Sequence, residues 1–389
     1  MSSAELRTLP TSSIQDALAE PGAVFVDLRS PSEFEADHVP GAHSIRLFDD
    51  EERALIGTLY SRSSHEIAFD QAVERTQARI DTLVREVSEL VGWAPPEGDL
   101  SAIVDSLTRG GIRELEERLE GVTTRGVERP VYFYCWRGGL RSKSVTALFQ
   151  LLGFERAIQI EGGYKAYRAG VMSALAGWQS PPAIALRGGT GMGKTLVLRA
   201  IERLRPGWTL DLEGAAGHRS SILGMVGLEP VSQRRFESRL FERLRRGFAD
   251  QVVVFEGESR KIGDSIQPER VWEALQGARN VRLTTPTERR IEVLSEDYLA
   301  QPENRMHLAQ QLPFIENRLG PKKYAGVLVE MLHADRIDEL VRILLEEYYD
   351  PLYDHSEKGR DIAAEFDSTD PEACARELVA WIEGSLVRG

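Results

Sequence analysis

The segment that most constrains this chain is an apolar run, Ala183-Ile184-Ala185-Leu186-Arg187, leading into Gly188-Gly189-Thr190-Gly191-Met192-Gly193-Lys194-Thr195. It reads as a short buried strand, a glycine-rich turn and a helix that opens near Lys194. Gly188 to Thr195 satisfies the phosphate-binding-loop (P-loop) pattern, in which glycines let backbone N–H groups point inward around an anion. The helix N-terminus adds partial positive charge, Lys194 reaches the outer phosphates and the Thr195 hydroxyl holds Mg²⁺. All eight residues are therefore expected to bind phosphate, with Thr195 as the metal residue. Such a segment belongs to an α/β fold with a parallel sheet.

A length of 389 residues leads us to expect two domains. Two cysteines, Cys135 and Cys374, are too few for a disulfide framework or a structural zinc site, and they fit a reducing cytoplasm. The sequence has no apolar run near 18 residues and no basic-then-apolar N-terminal segment, so neither a membrane span nor a signal peptide is expected. The net charge of −13 argues against indiscriminate nucleic-acid binding but leaves room for a local basic face.

In chain order, residues 11–20 read as a short capped helix and residues 23–29 as a buried strand. Ser30 is a natural cap for the turn begun by Pro31, and Asp37-His38-Val39-Pro40-Gly41-Ala42 follows. From about 49 to 125 the chain is rich in charge, with Ile80, Leu83, Val84, Val87, Leu90 and Val91 at helical spacing, and it predicts two or three helices. Val131 to Tyr134 returns as a strand and delivers Cys135, after which a helix runs to about Leu152. Ala157 to Ile160 is a further strand, followed by Glu161-Gly162-Gly163-Tyr164-Lys165-Ala166-Tyr167. These motifs together resemble a rhodanese domain. A rhodanese does not need residues 49–125, so they are expected to form a helical insertion, either a packing arm or a substrate-contacting element.

Residues 179–182 read as a linker, which divides a rhodanese-like domain at 1–178 from a P-loop domain at 183–389. In the second domain, strands are expected at 209–212, 252–255, 281–283 and 362–366, and helices at 232–248, through most of 287–349 and at 371–382. The apolar run Val252-Val253-Val254-Phe255 is that of a central parallel strand. It ends in Glu256-Gly257-Glu258, where a P-loop fold keeps its Mg²⁺-holding or water-directing acid, and this makes Glu256 and Glu258 candidates. The expected whole is an α/β protein: a rhodanese-like parallel-sheet domain with a helical insertion, then a P-loop NTPase-like α/β domain with helical additions.

Cys135 sits directly after an apolar strand and before a helix, among Arg137, Gly138, Gly139 and Arg141. Backbone N–H groups, a helix N-terminus and two guanidiniums favour a thiolate, and the same cradle would hold an anionic persulfide, perselenide or phosphate. Cys135, Arg137 and Arg141 are the candidate catalytic residues. Common rhodanese sulfurtransferases place four residues between cysteine and arginine, whereas Cys135 and Arg141 are separated by five, as in rhodanese-fold phosphatases. Cys374 is expected in the core, in the middle of a helix.

The combination resembles the tRNA 2-selenouridine synthase family. Its carriers are residues 49–58, the loop Cys135 to Ser142, Glu161 to Ala166, Asp211-Leu212-Glu213-Gly214, Glu258-Ser259-Arg260 and Glu346 to Pro351. The resemblance implies replacement of sulfur by selenium in the wobble 2-thiouridine of tRNA. Selenophosphate would come from a separate supplier, and an S-geranyl intermediate would be made from geranyl diphosphate. Cys135 would carry selenium as a perselenide, or attack selenophosphate to form one. The P-loop would hold either the diphosphate of the geranyl donor, the reading favoured here, or ATP. Two rivals remain: a rhodanese-type sulfurtransferase or phosphatase with an ATP-dependent regulatory P-loop domain, and a nucleotide-switched binding module.

A tRNA partner requires a local basic face. Residues 187–246 carry 12 Lys and Arg against 6 Asp and Glu, and Arg235, Arg239, Arg243 and Arg246 recur at helical spacing. They read either as a solvated face or as a stripe that tracks tRNA phosphates. The oligomeric state is not legible.

Overall fold

The computed structural model describes residues 9–62, 64–95, 129–299, 301–357 and 359–386. The chain divides into two compact units, Met1–Ser173 and Ala174–Gly389. Both are α/β, and each is built on a five-stranded sheet whose pairs are all parallel.

The first unit contains β1 (Thr11–Ser12), α1 (Ile14–Ala19), β2 (Val24–Asp27), α2 (Pro31–Ala36) and β3 (His43–Ser44). Next come α3 (Asp50–Arg62), α4 (His65–Val91), β4 (Val131–Tyr134), α5 (Leu140–Leu151), β5 (Ala157–Ile160) and α6 (Gly163–Gly177). The sheet order is β1-β5-β4-β2-β3, so β4, which delivers Cys135, is the middle strand. Two-residue β1 was not expected, because a pair of polar residues carries no period. The Ser30 side chain and Glu33 form the reciprocal cap at the start of α2.

The insertion is helical as expected, with α3 and α4 among the described residues; its stretch from 96 to 125 lies outside them. Ser64 caps α4, and Gly92 ends it in the left-handed conformation. Ile80, Leu83, Val84 and Val87 are buried against Phe133, Phe149 and Phe154, so α4 packs onto the sheet unit along one stripe. On α3, by contrast, none of the 13 residues is buried.

The second unit opens with β6 (Ala183–Arg187), α7 (Lys194–Leu204), β7 (Thr209–Leu210), α8 (Leu212–Ala216) and α9 (Gln233–Arg245). It continues through β8 (Val253–Glu256), a small hairpin of β9 (Lys261–Ile262) and β10 (Ser265–Ile266), α10 (Glu269–Gln276) and β11 (Arg279–Thr284). Helices α11 (Thr287–Leu299), α12 (Pro302–Leu319), α13 (Pro321–Tyr324), α14 (Val327–His333) and α15 (Ile337–Ile343) follow. A π turn (Leu344–Tyr349), α16 (Asp350–Glu357), β12 (Ile362–Asp367) and α17 (Pro371–Leu386) end the unit.

The order β12-β11-β6-β8-β7 makes β6 the middle strand and gives β8 a neighbour on each side, as its apolar run requires. Val197, Leu198 and Ile201 of α7 share a core with Leu378 and Ile382 of α17. The expected strand at 209–212 is shorter, because Asp211 accepts from the Gly214 N–H and starts α8. The helix expected at 232–248 loses both ends: Ser232 is its cap, and Gly247 turns the chain at φ +72°. Residues 287–357 build a second apolar cluster around Leu294, Leu312, Leu328 and Leu340.

Candidate functional site

In the first unit, Cys135 leaves the end of β4, and α5 begins five residues later at Leu140. Two glycine contacts hold the loop in its curve. Gly138 adopts φ +62°, and a Cβ there would come within 2.8 Å of the Gly162 nitrogen and the Ile160 oxygen. Gly163 adopts φ +56°, and a Cβ there would meet the Cys135 oxygen at 2.3 Å and the Gly138 nitrogen at 2.5 Å. The Tyr164 N–H donates to the Cys135 carbonyl (2.9 Å) and the Lys165 N–H to that of Trp136 (3.0 Å). The Gln159 amide donates to the Gly138 carbonyl (2.6 Å) and to Ser142 Oγ (3.2 Å). The motif Glu161 to Lys165 is thus the other wall of the cysteine loop.

Cys135 is 3% exposed, and Ser142 Oγ lies 3.3 Å from its Sγ. Burial pushes the thiol pKa up, but Arg141 and hydrogen bonds from Ser142 and the Arg137 backbone outweigh it, so the net shift is downward. A nucleophile held in this way is reached through the cavity that Cys135, Arg137 and Arg141 all line. Beneath it, Asp27 accepts from the guanidinium of Arg29 at 2.6 Å, and Asp37 accepts from the Tyr164 hydroxyl at 2.8 Å. Arg29 lies 3.7 Å from the Tyr164 ring centroid, so the Asp27 and Arg29 of the rhodanese-like motif brace the loop from below.

The P-loop follows β6, and Gly188, Gly191 and Gly193 all take positive φ. The Lys194 ammonium donates to the Gly188 carbonyl at 2.9 Å and lies 5.7 Å from the Tyr353 ring centroid. Arg290, ion-paired bidentately with Asp350, donates to the Thr190 carbonyl at 3.0 Å, and Ser368 donates to that of Met192 at 2.8 Å. The loop's carbonyls are thereby tied back.

Thr195 donates to Glu213 at 3.1 Å. Burial, reinforced by Glu258, raises the Glu213 pKa to about 7. Glu256 is fully buried; it accepts from the Leu212 N–H at 3.2 Å, while its other oxygen has no hydrogen-bond partner among the described residues. Burial, with Asp211, Glu213 and Glu258 nearby, raises its pKa well above the usual carboxylate range. Burial would lower the pKa of Lys194, but Tyr353, Glu258, Glu213 and Glu256 more than offset it. The expected residues of the loop, Glu256 and Glu258 therefore meet around one lysine.

A family model described as the tRNA 2-selenouridine synthase AAA domain matches residues 181–383, and a rhodanese-like domain model matches residues 11–89. The chain belongs to the tRNA 2-selenouridine synthase family. The tRNA 2-selenouridine synthase of Hydrogenovibrio crunogenus is 28% identical over 367 residues, covering 88% of this chain and 91% of that protein. That of a Sulfurovum species is 29% identical over 385 residues, covering 90% and 93%, and that of Shewanella piezotolerans is 29% identical over 363 residues, covering 85% and 87%.

The arginine stripe differs from its expectation. Arg243 is directed inward: it donates to the carbonyls of Thr209 (2.8 Å), Gly207 (2.7 Å) and Gly247 (2.7 Å) and covers the Phe248 ring. Arg239 donates to the carbonyls of Gly214 and Ala215, each at 3.2 Å, and Arg246 pairs with Glu242 at 2.6 Å. Arg187, counted in the same basic excess, is buried against Asn280 and the Gly257 carbonyl. Arg239, Arg243 and Arg187 are held by neutral oxygens and keep their charge, while Arg246 is paired with an acid, so the four expected residues do not form a bare cationic stripe. Cys374 is buried as expected, but in the first turn of α17 and not in mid-helix, and burial pushes its pKa up to about 12.

Sequence reasoning missed five residues: Gln159, Glu213, Arg290, Asp350 and Tyr353. Glu213 and Asp350 lie inside stretches that carried the family resemblance without a role. Arg290 had no local signal, because its partners are 60 and 100 positions away. Among the described residues, no helix is long and apolar enough to cross a membrane.

Proposed function

We propose that this chain is a transferase that replaces the sulfur of wobble 2-thiouridine in tRNA by selenium, with selenophosphate as donor and an S-geranyl-2-thiouridine intermediate formed from geranyl diphosphate. The observation that carries the reading is the Cys135 loop: a thiol with a lowered pKa, between arginines, at the floor of a cavity. Selenium is handled at Cys135. Arg141 favours the thiolate and, with Arg137, an incoming phosphorylated donor. Geranylation converts a poor leaving group into a neutral thiol that can depart.

The P-loop is assigned to the diphosphate of the geranyl donor. Its glycine-rich backbone and Lys194 would suit a leaving diphosphate, on which negative charge develops in the transition state. Thr195, Glu213 and Glu256 would hold Mg²⁺, and the unpartnered oxygen of Glu256 fits an oxygen-ligated cation. Among the described residues no three His, Cys, Asp or Glu side chains cluster to hold a metal by themselves. That suits an ion that is completed by phosphate and water. When bound, Mg²⁺ would neutralise phosphate charge. Contacts to tRNA phosphates are assigned to Arg235 and Arg239, with Arg243 as the brace beneath them.

The test is mass spectrometry of nucleosides from 2-thiouridine tRNA incubated with the full chain, geranyl diphosphate and selenophosphate. Appearance of S-geranyl-2-thiouridine and then 2-selenouridine is expected. Failure to form either would overturn the reading.

A further inference from the structure

The largest unexplained feature of the first unit is a cavity of about 1390 Å³ over Cys135. It exceeds the roughly 300–1,000 Å³ of ordinary ligand pockets. Its walls are apolar: Phe48, Ile56, Val73, Ile80, Val145 and Leu148 all face it, and they come from α3, α4, α5 and the approach to α3. Selenophosphate is small and wholly polar, and it makes no use of such walls. A sulfur- or selenium-carrying cysteine alone needs none of the insertion.

Two further observations describe the missing occupant. Four arginines, Arg53, Arg62, Arg137 and Arg141, line the same cavity with the acid Glu66, and Arg53 also pairs with Glu33 at 3.6 Å. The hollow therefore suits an amphiphile with a hydrocarbon part and a phosphate-bearing part. Around it, Leu55, Tyr60, Ile67 and Leu140 are exposed at 42%, 61%, 49% and 56%. No residue along α3 is fully buried: Ile56 packs partly against the core, while Leu55 and Tyr60 stay exposed. A helix of this length draws most of its stability from burying an apolar face.

We propose that α3 and α4 form the seat of a terpenyl chain: the ten-carbon S-alkyl group of the modified wobble nucleotide lies in the hollow over Cys135, and Arg53 and Arg62 take the phosphates beside that nucleotide. The proposal rests on the S-geranyl reading above and gives the insertion its role in substrate binding. The hydrocarbon is recognised in the cysteine-bearing unit, where its carrier nucleotide meets selenium, whatever the P-loop holds.

The test uses the full chain and two synthetic anticodon stem-loops, one with S-geranyl-2-thiouridine and one with S-methyl-2-thiouridine, with affinities read by fluorescence anisotropy. Each buried methylene is worth roughly fourfold in affinity. Partial burial of the chain then predicts a geranyl preference well above about tenfold. Ala54→Trp, at an exposed α3 position that lines the cavity, should obstruct the part of the hollow beside α3 and lower the ratio of the two affinities towards one. Should that variant fail to fold by circular dichroism, Val73→Trp from the facing helix gives the same readout.

No preference in the wild type, or a preference that persists in a folded, obstructed variant, overturns the proposal. Conversion of the S-geranyl stem-loop to 2-selenouridine by selenophosphate is scored separately. Conversion without a chain preference removes the seat and leaves the proposed function standing. A chain preference that the variants abolish, without conversion, keeps the seat and removes the function.

Discussion

The cysteine cradle and the P-loop are built alike and finished differently. Each follows the middle strand of a parallel sheet, turns on at least one glycine with positive φ and ends at a helix N-terminus. In the cradle, the loop is pinned by neighbouring backbone, and the group at its centre is a thiol whose charge is favoured by arginine. In the P-loop, the carbonyls are tied back by the side chains of Arg290 and Ser368, and the centre is a lysine among carboxylates. One backbone device can therefore serve a nucleophile or an anionic ligand; the ring of side chains decides which. An anion-friendly ring makes a thiolate, whereas an acid-rich ring needs a cation before it accepts phosphate.

The largest effect should come from the nucleophile. Cys135→Ser is expected to reduce selenium transfer by more than about a thousandfold while leaving geranylation within about threefold. Nucleoside mass spectrometry on both products checks this, and full selenation by the variant would place the chemistry elsewhere. Lys194→Ala should invert the pattern. Geranylation should fall roughly a hundredfold, since Lys194 is read as stabilising charge that develops on a departing diphosphate. Selenation of pre-geranylated tRNA should survive, and equal loss on both substrates would make the two sites one functional unit.

The difference in how the loops are held is sharpened by alanine at one glycine of each. Gly163→Ala places its Cβ against two backbone atoms at positive φ and should cost about 2–4 kcal/mol in denaturant unfolding. Gly189→Ala meets only the ends of Arg290 and Asp350, at 3.5 and 3.7 Å, and should cost under about 1 kcal/mol. Similar losses at both positions would erase the distinction between a backbone-closed and a side-chain-closed loop.

A further effect is electrostatic and depends on pH. The Glu213 pKa, near 7 in the folded protein, lies above its ordinary 4.5, so the folded state holds the proton more tightly than the unfolded one. Stability from this group is complete below the ordinary value and is lost as pH rises through 7. Glu213→Gln should therefore raise ligand-free stability by about 1–2 kcal/mol at pH 8, and by much less near pH 5. Thermal melts across that range check the sign. A gain that does not change with pH would mean that Glu213 carries no such strain.

The two strand–loop–helix segments, the cap at Ser30 and the burial of Val252 to Phe255 were legible from sequence. Each depends on neighbours within about ten residues: apolar runs, glycine spacing and capping side chains. The helical insertion was legible as helix, because the period of Ile80, Leu83, Val84 and Val87 is local too.

What packs against what was not legible. Gly163 closes on Cys135 because β4 and β5 are adjacent strands. Arg290 and Asp350 reach the P-loop because a helical subdomain folds back to it, and Arg243 turns inward because the carbonyls of Gly207, Thr209 and Gly247 lie within its reach. A helical arginine stripe looks the same in sequence whether it faces water or a row of carbonyls. Only the tertiary structure brings a long guanidinium to acceptors 34 and 36 positions away, and burying those acceptors unpaired would cost more than leaving the stripe in solvent gains.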